Sequence, residues 1–172
     1  MKRLSLSLLR YSLYNEFGIK LQAEEIDKNP WGKPFLRNYK YIQYNISHCS
    51  SAIVCSLSSL YPIGVDVENV RSYSPYSFKR CFQWTERCYV GGSMEPEREF
   101  FRLWTLKESY IKAIGMGMAY PMREICFDIR NGIIFSNRPG CRFVLMENDD
   151  GIIISCCYGV GREKENGRLY SV

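Results

Sequence analysis

Asp66 and Glu68 alternate with Val65 and Val67 in the run IGVDVENV, so a β-strand would carry both carboxylates on one face. Two carboxylates at i and i+2 repel each other unless something positive lies between them. Hard oxygen donors paired in this way suit Mg²⁺, which keeps several waters and also bonds substrate phosphates. An exposed strand edge would account for them equally well. A metal reading needs a third ligand, and Glu108 is the obvious candidate. It lies in FFRLWTLKESYIKAIG, residues 100–115, where Trp104, Glu108 and Lys112 follow one another at i, i+4 and i+8 on one helical face. An exposed Glu–Lys pair is the ordinary explanation of such spacing. Here the polar stripe, with Lys107 beside it, is narrow and flanked by large aromatics, and charges in that setting need a partner such as a metal ion or an anionic ligand.

Two weaker signals lie earlier in the chain. His48, the single histidine, follows Ser47 at the end of a strand-like run and opens a turn rich in hydroxyls, where phosphate contact competes with a plain surface role. The loop around Trp31, Gly32, Lys33 and Pro34 is either mere connection or an aromatic face, backbone donors and one cation offered to a planar anionic ligand.

The elements that must position these residues are legible in outline. Residues 4–17 form an amphipathic helix through Leu6, Leu9, Leu13 and Phe17, stopped by Gly18. Tyr41–Ser47 and Ala52–Ser58 read as a hairpin turning at residues 48–51. Residues 69–92 carry short helical pieces. The long helix has Glu95, Glu97 and Glu99 at its start, Pro96 in its first turn, Ser93 as a possible cap, and Gly115 and Gly117 at its end. EICFDI and GIIFS flank Arg130-Asn131-Gly132, a tight-hairpin signal, and RFVLME and GIIISCCYG flank residues 148–151 in the same way. Arg168–Val172 could return as an edge strand.

Composition bounds the rest. A chain of 172 residues is one domain, or two small lobes sharing a core, and 46% hydrophobic with 24% charged residues is ordinary for a soluble globular protein. The net charge of +5 is mild and suggests anionic partners without choosing among them. Thirteen Tyr and three Trp have no basic run interleaved with them, so they read as core and pocket packing rather than as a nucleic-acid surface. Eight cysteines without a C-x-x-C pair, together with one histidine, argue against zinc and for a reduced, cytoplasmic protein. The start MKRLSLSLLR lacks a cleavage site of small residues, and no apolar run approaches membrane-spanning length.

Taken together, WGKP at 31–34, NISHCS at 45–50, GVDVE at 64–68 and WTLKESYIKAIGMG at 104–117 resemble the 4′-phosphopantetheinyl transferases of the surfactin-synthetase-activating type, in that family's order. FQWTE at 82–86 resembles a further short element of the family and nominates Glu86 as partner for a helix lysine. The resemblance implies a pseudo-twofold, two-lobed α+β fold, each lobe a small antiparallel sheet packed by a long helix. Residues 1–72 would form the N-terminal lobe and 73–172 the C-terminal lobe of one catalytic unit. It implies transfer of phosphopantetheine from coenzyme A, bound in the cleft between lobes, to a serine of an apo carrier protein, releasing adenosine 3′,5′-bisphosphate.

Carried over by position, Asp66, Glu68 and Glu108 would bind Mg²⁺, and Lys107 and Lys112 would neutralise the pyrophosphate. Ser47 and His48 would contact coenzyme A phosphates, and Gly32, Lys33 and Pro34 would line the adenine pocket. On chemical grounds the serine proton must go to a base, and Glu108 is the choice, directly or through a metal-bound water. The partners implied are coenzyme A and an acidic carrier protein, with neither nucleic acid nor membrane involved and a monomer able to complete the cleft. The family's carrier-docking surface varies too much to be carried over by position; apart from the resemblance, the basic and aromatic patch of Arg71, Lys79, Arg80 and nearby aromatics is the expected docking face. The chain departs from the family in its short front, where only Met1, Lys2 and Arg3 precede the first helix, and in Cys49, where a serine or threonine usually stands. A metal-dependent phosphoesterase or nuclease, and a non-catalytic binder of coenzyme A or carrier protein, are the competing readings.

Overall fold

In the computed structural model, residues 2–159 and the short stretches 164–165 and 168–169 are described. The chain begins with helix α1 (Lys2–Phe17), whose last turn ends where Gly18 takes a positive φ of 68°. Two hairpins follow: β1 (Ile26–Lys28) with β2 (Pro34–Leu36), then β3 (Gln43–His48) with β4 (Ile53–Ser58). Leu9 and Leu13 of α1 pack with Leu36, Ile42 and Tyr44 in one buried cluster, so the face expected to be apolar is the one the helix lays on these strands.

After strand β5 (Ile63–Asn69) come α2 (Pro75–Cys81), α3 (Trp84–Gly91) and the long α4 (Pro96–Ile114). Pro96 opens α4 as expected, but its cap position is Glu95; Ser93 instead accepts a bond from the Glu95 amide at 3.0 Å. Gly115, at φ 73°, ends the helix in the left-handed conformation and donates to the Ile111 carbonyl at 3.0 Å. The hairpin β6 (Phe127–Arg130) to β7 (Ile133–Ser136) turns on Asn131 and Gly132, both at positive φ, as a two-residue loop of this composition demands. β8 (Arg142–Glu147) and β9 (Ile152–Tyr158) form the last large hairpin. β10 (Lys164–Glu165) and β11 (Arg168–Leu169) pair briefly, and residues 170–172 of the expected edge strand lie outside the described residues.

The element order helix, hairpin, hairpin therefore occurs twice, as α1–β1β2–β3β4 and as α4–β6β7–β8β9. The fold is α+β, with a helix packed on small antiparallel sheets in each half. A second buried cluster, built on Phe82, Phe100, Phe101, Leu103, Leu106 and Tyr110, belongs to the half of α4. β5 joins the halves. It hydrogen-bonds antiparallel to β9 over seven residue pairs, from Ile63↔Tyr158 to Asn69↔Ile152, in the sheet β5-β9-β8. Its other edge meets β3 through side chains: the Val65 and Val67 amides donate to Asn45 Oδ1 (3.0 Å) and Ser47 Oγ (3.4 Å).

Candidate active site

Gly64 lets α4 lie directly on β5. A Cβ there would stand 2.1 Å from the Ser109 carbonyl oxygen and 2.3 Å from the Ala113 amide nitrogen, so only glycine permits the approach. That contact covers the face of β5 carrying Gly64, Asp66 and Glu68. Asp66, expected at an exposed edge or a metal, is buried at 4% exposure. From the helix side, α4 is buried along most of its length, while Trp104, Glu108 and Lys112 form a half-buried line at i, i+4 and i+8.

The helix and the strand meet at Asp66. Its Oδ1 accepts from Lys112 Nζ at 2.5 Å and from Ser47 Oγ at 2.9 Å, and Ser47 Oγ in turn accepts from Lys112 Nζ at 2.8 Å. Asp66 Oδ2 is buried with no hydrogen-bond partner among the described residues. Such an atom normally costs about 1–3 kcal/mol of desolvation unless something else satisfies it. Glu68 Oε2 accepts from Arg71 Nη1 at 2.8 Å; the same guanidinium donates to the Asn69 carbonyl at 2.9 Å and lies 4.7 Å above the Phe101 ring. Burial, then the negative charge of Asp66, raise the Glu108 carboxyl above its ordinary value; Lys112 opposes this and Glu68 adds to it. Three carboxylates thus feel one another across the strand–helix contact.

Among the described residues no three His, Cys, Asp or Glu side chains are already gathered as a cage for a metal ion. Mg²⁺ does not require one, since it commonly takes one or two carboxylates and fills its other positions with water and ligand oxygens. The unpartnered Asp66 Oδ2, with Glu108 and Glu68 close enough to disturb one another, is chemically what such an ion would satisfy. The donor set fits a hard divalent cation. Beside it a cleft of about 270 Å³ is lined by Glu68, Arg71, Tyr73, Phe101 and Trp104 among others.

The remaining expected residues fall into two groups. His48 is exposed at the end of β3, and its turn is held to the end of β5 by Ser50 Oγ donating to Asn69 Oδ1 (2.9 Å) and Asn69 Nδ2 to Ser51 Oγ (3.0 Å). Lys79 and Arg80 are exposed on α2. Trp31 and Gly32 are exposed too, but Lys33 faces inward. Its ammonium donates to the Ala113 carbonyl at 2.7 Å, near the C-terminal end of α4, and to the Ile63 carbonyl at 3.3 Å, and burial pulls it down to about 8. Asn29, to which the sequence drew no attention, folds this loop. Its Oδ1 accepts from the Trp31 and Lys33 amides (3.0 and 2.8 Å), and its Nδ2 donates to the Gly115 carbonyl at 2.9 Å.

Two residues stand elsewhere than the resemblance implied. Ser47 is buried and already committed to Asp66, Lys112 and the Val67 amide, so it organises the carboxylate rather than facing open cleft. Lys107 is fully buried: its ammonium meets Glu86 at 2.8 Å and donates to the Ile125 carbonyl, over the Phe82 ring. Burial lowers its proton affinity against the raising effect of Glu86. An ammonium enclosed in this way has no open path to a phosphate. Glu86, nominated as partner for a helix lysine, also accepts from the Gln83 and Phe127 amides, at 2.9 and 3.0 Å.

Fold and site together define a two-lobed α+β protein with a carboxylate–lysine cluster at the joint of its lobes. The chain belongs to the 4′-phosphopantetheinyl transferase superfamily, whose sequence profile matches residues 62–157, more than half of its length and the segment from β5 to β9. It is 37% identical over 123 residues to the 4′-phosphopantetheinyl transferase gsp of Aneurinibacillus migulanus, a match covering 70% of this chain and 51% of that one. To the 4′-phosphopantetheinyl transferase Sfp of Bacillus subtilis (strain 168) it is 29% identical over 117 residues, covering 67% and 52%. The chain spans about half the length of these curated relatives. The solved holo-[acyl-carrier-protein] synthase of Thermotoga maritima superposes with a TM-score of 0.49 at 17% identity, over 58% of this chain and 63% of that one. No helix among the described residues is long and apolar enough to cross a membrane.

Proposed function

We propose that this chain transfers the 4′-phosphopantetheine moiety of coenzyme A to a serine hydroxyl of an apo carrier protein, in the presence of Mg²⁺, and releases adenosine 3′,5′-bisphosphate. One observation carries the reading: a buried Asp66 with Lys112 on one oxygen and, among the described residues, no hydrogen-bond partner on the other, at the strand–helix contact inside the segment that matches the family. The ion would be held by Asp66, Glu68 and Glu108, and when bound it supplies positive charge to the pyrophosphate oxygens.

The chain's own residues supply position and charge, which is what phosphoryl transfer chiefly demands of a protein. The serine oxygen bonds to the β-phosphorus as its link to the leaving nucleotide breaks. Glu108 takes the serine proton, directly or through a water. Lys112 neutralises charge developing on the leaving phosphate, and the exposed His48 contacts a coenzyme A phosphate. The loop of Trp31, Gly32, Lys33 and Pro34 faces the adenine, Lys33 contributing by fixing that loop to the end of α4 rather than as a free cation. Ser47 and Lys107 act as positioning residues, the first for Asp66 and Lys112, the second for the start of α3 through Glu86. The exposed Lys79 and Arg80 on α2 lie on the surface assigned to an acidic carrier, where complementary charge speeds encounter. Both lobes needed for the cleft come from one chain, which favours a monomer, and eight free cysteines favour a reducing, cytoplasmic setting.

The test is intact-mass analysis of an apo carrier protein incubated with the chain, coenzyme A and Mg²⁺. The expected result is one added phosphopantetheine, lost on chelation and in Glu108→Gln. Unmodified carrier across a panel of acyl and peptidyl carriers, with coenzyme A still bound, would show a binding module instead.

A further inference from the structure

We propose that Lys112 and Arg71 are resident counter-ions of the carboxylate pair, competing with a divalent ion for Asp66 and Glu68, so that uptake of the ion frees both cations for an anionic ligand. This rests on the reading of the site given above. Each strand carboxylate is held by one cation and by one oxygen: Lys112 Nζ on Asp66 Oδ1 at 2.5 Å, and Arg71 Nη1 on Glu68 Oε2 at 2.8 Å. In both pairs the carboxylate is the enclosed partner and the cation the accessible one. Side-chain exposure is 6% for Asp66 against 27% for Lys112, and 21% for Glu68 against 56% for Arg71. The cations can therefore leave while the carboxylates stay.

The places the cations would leave for are already defined. Lys112 lies at the end of the Trp104–Glu108–Lys112 line, and Arg71 borders the cleft beside Trp104. Glu108, one turn from Lys112, would itself be taken up by the ion, so a displaced Lys112, like a displaced Arg71, would be satisfied by water or by an anion brought to the cleft. A divalent ion and a phosphate-bearing ligand would then bind with positive coupling that is reciprocal by thermodynamic necessity. The Glu68–Arg71 pair is partly solvated, which keeps the cost of opening it modest, whereas Asp66 is buried and releases Lys112 only as the arriving ion replaces it.

The probes are Mn²⁺ alone, followed by electron paramagnetic resonance, and inorganic pyrophosphate, titrated calorimetrically at saturating Mn²⁺. In Lys112→Met, Mn²⁺ affinity without pyrophosphate should rise by roughly five- to tenfold, at the lower end of usual coupling. Pyrophosphate affinity should fall in the same variant. A lysine needed only for structure would weaken both. Arg71→Met, at an exposed position, should show the same opposed pair of shifts, smaller in size. Wild-type protein that binds neither probe would sink the site reading itself. Wild-type protein that binds both, with Mn²⁺ affinity unchanged or weakened in either variant, would overturn the counter-ion proposal and leave the site reading standing.

Discussion

Adding one methyl group at Gly64 should separate the two elements that make the site. A Cβ there would meet the Ser109 carbonyl oxygen at 2.1 Å, the Ala113 amide nitrogen at 2.3 Å and the Lys112 carbonyl carbon at 2.8 Å. All three are backbone atoms of α4, so no side chain can swing aside. Bringing the shortest contact out to 3.0 Å requires strand and helix to part by about 0.9 Å, the difference between 3.0 and 2.1. Overpacking a core by one methyl typically costs about 1–3 kcal/mol, and a clash of backbone with Cβ belongs at the top of that range. At about 2–4 °C per kcal/mol for a chain of this size, Gly64→Ala should lower Tm by roughly 6–12 °C. Asp66 rides on the strand and Lys112 with Glu108 on the helix, so the same separation opens the 2.5 Å Lys112–Asp66 contact. A displacement near 1 Å can cost on the order of a hundredfold in rate. Thermal unfolding, together with carrier modification measured where the variant remains folded, reads both effects. Wild-type stability with wild-type modification would show that α4 does not rest on β5 as described, and the geometry of the site would fall with it.

Removing the charge of Glu108 should stabilise the ion-free protein while destroying its use. Burial and the charge of Asp66 make the folded carboxyl hold its proton more tightly than an ordinary glutamate does, so between the ordinary range and its raised value the native state binds more protons than the unfolded chain, and stability falls as pH rises through that window. Glu108→Gln should therefore raise Tm at pH 7 and lose the advantage near pH 4; an equal effect at both values would contradict the burial argument. The enclosed Lys107–Glu86 pair predicts strong non-additivity. Glu86→Gln strands a buried ammonium and should cost about 3–5 kcal/mol, while Glu86→Gln combined with Lys107→Met should recover most of that loss. Additive losses in urea midpoints would show that the pair is not the closed unit seen in the fold.

What could be read from the residues was whatever repeats at short range. The i, i+4, i+8 spacing put Trp104, Glu108 and Lys112 on one line of α4, and alternation put Asp66 and Glu68 on one face of β5. The turn at Asn131-Gly132 was legible because a two-residue hairpin demands those φ values. Burial was not legible in the same way. Asp66 is enclosed because Gly64, two residues earlier, admits a helix from another part of the chain, and alternation cannot show which face is covered. Lys107 adjoins Glu108 in sequence yet points into the core, since neighbours on a helix lie about 100° apart. Lys33 and Asn29 reach α4 across 80 and 86 residues, and contacts of that range leave no local pattern.

The site's dependence on long-range contacts follows from how the lobes are joined. Had β3 and β5 formed a continuous backbone ladder, the register would fix their spacing and every amide would be satisfied without help from a side chain. The β5 amides of Val65 and Val67 instead rely on Asn45 Oδ1 and Ser47 Oγ, and Ser47 spends the same oxygen on Lys112 and its proton on Asp66. One hydroxyl therefore serves both the joint and the carboxylate. A shift of one lobe against the other changes the donors around Asp66, and a change of partner at Asp66 loosens the joint. A ladder would insulate the site from such motion. The side-chain junction couples them, so a cation arriving at Asp66 acts on the same contacts that set the separation of the lobes.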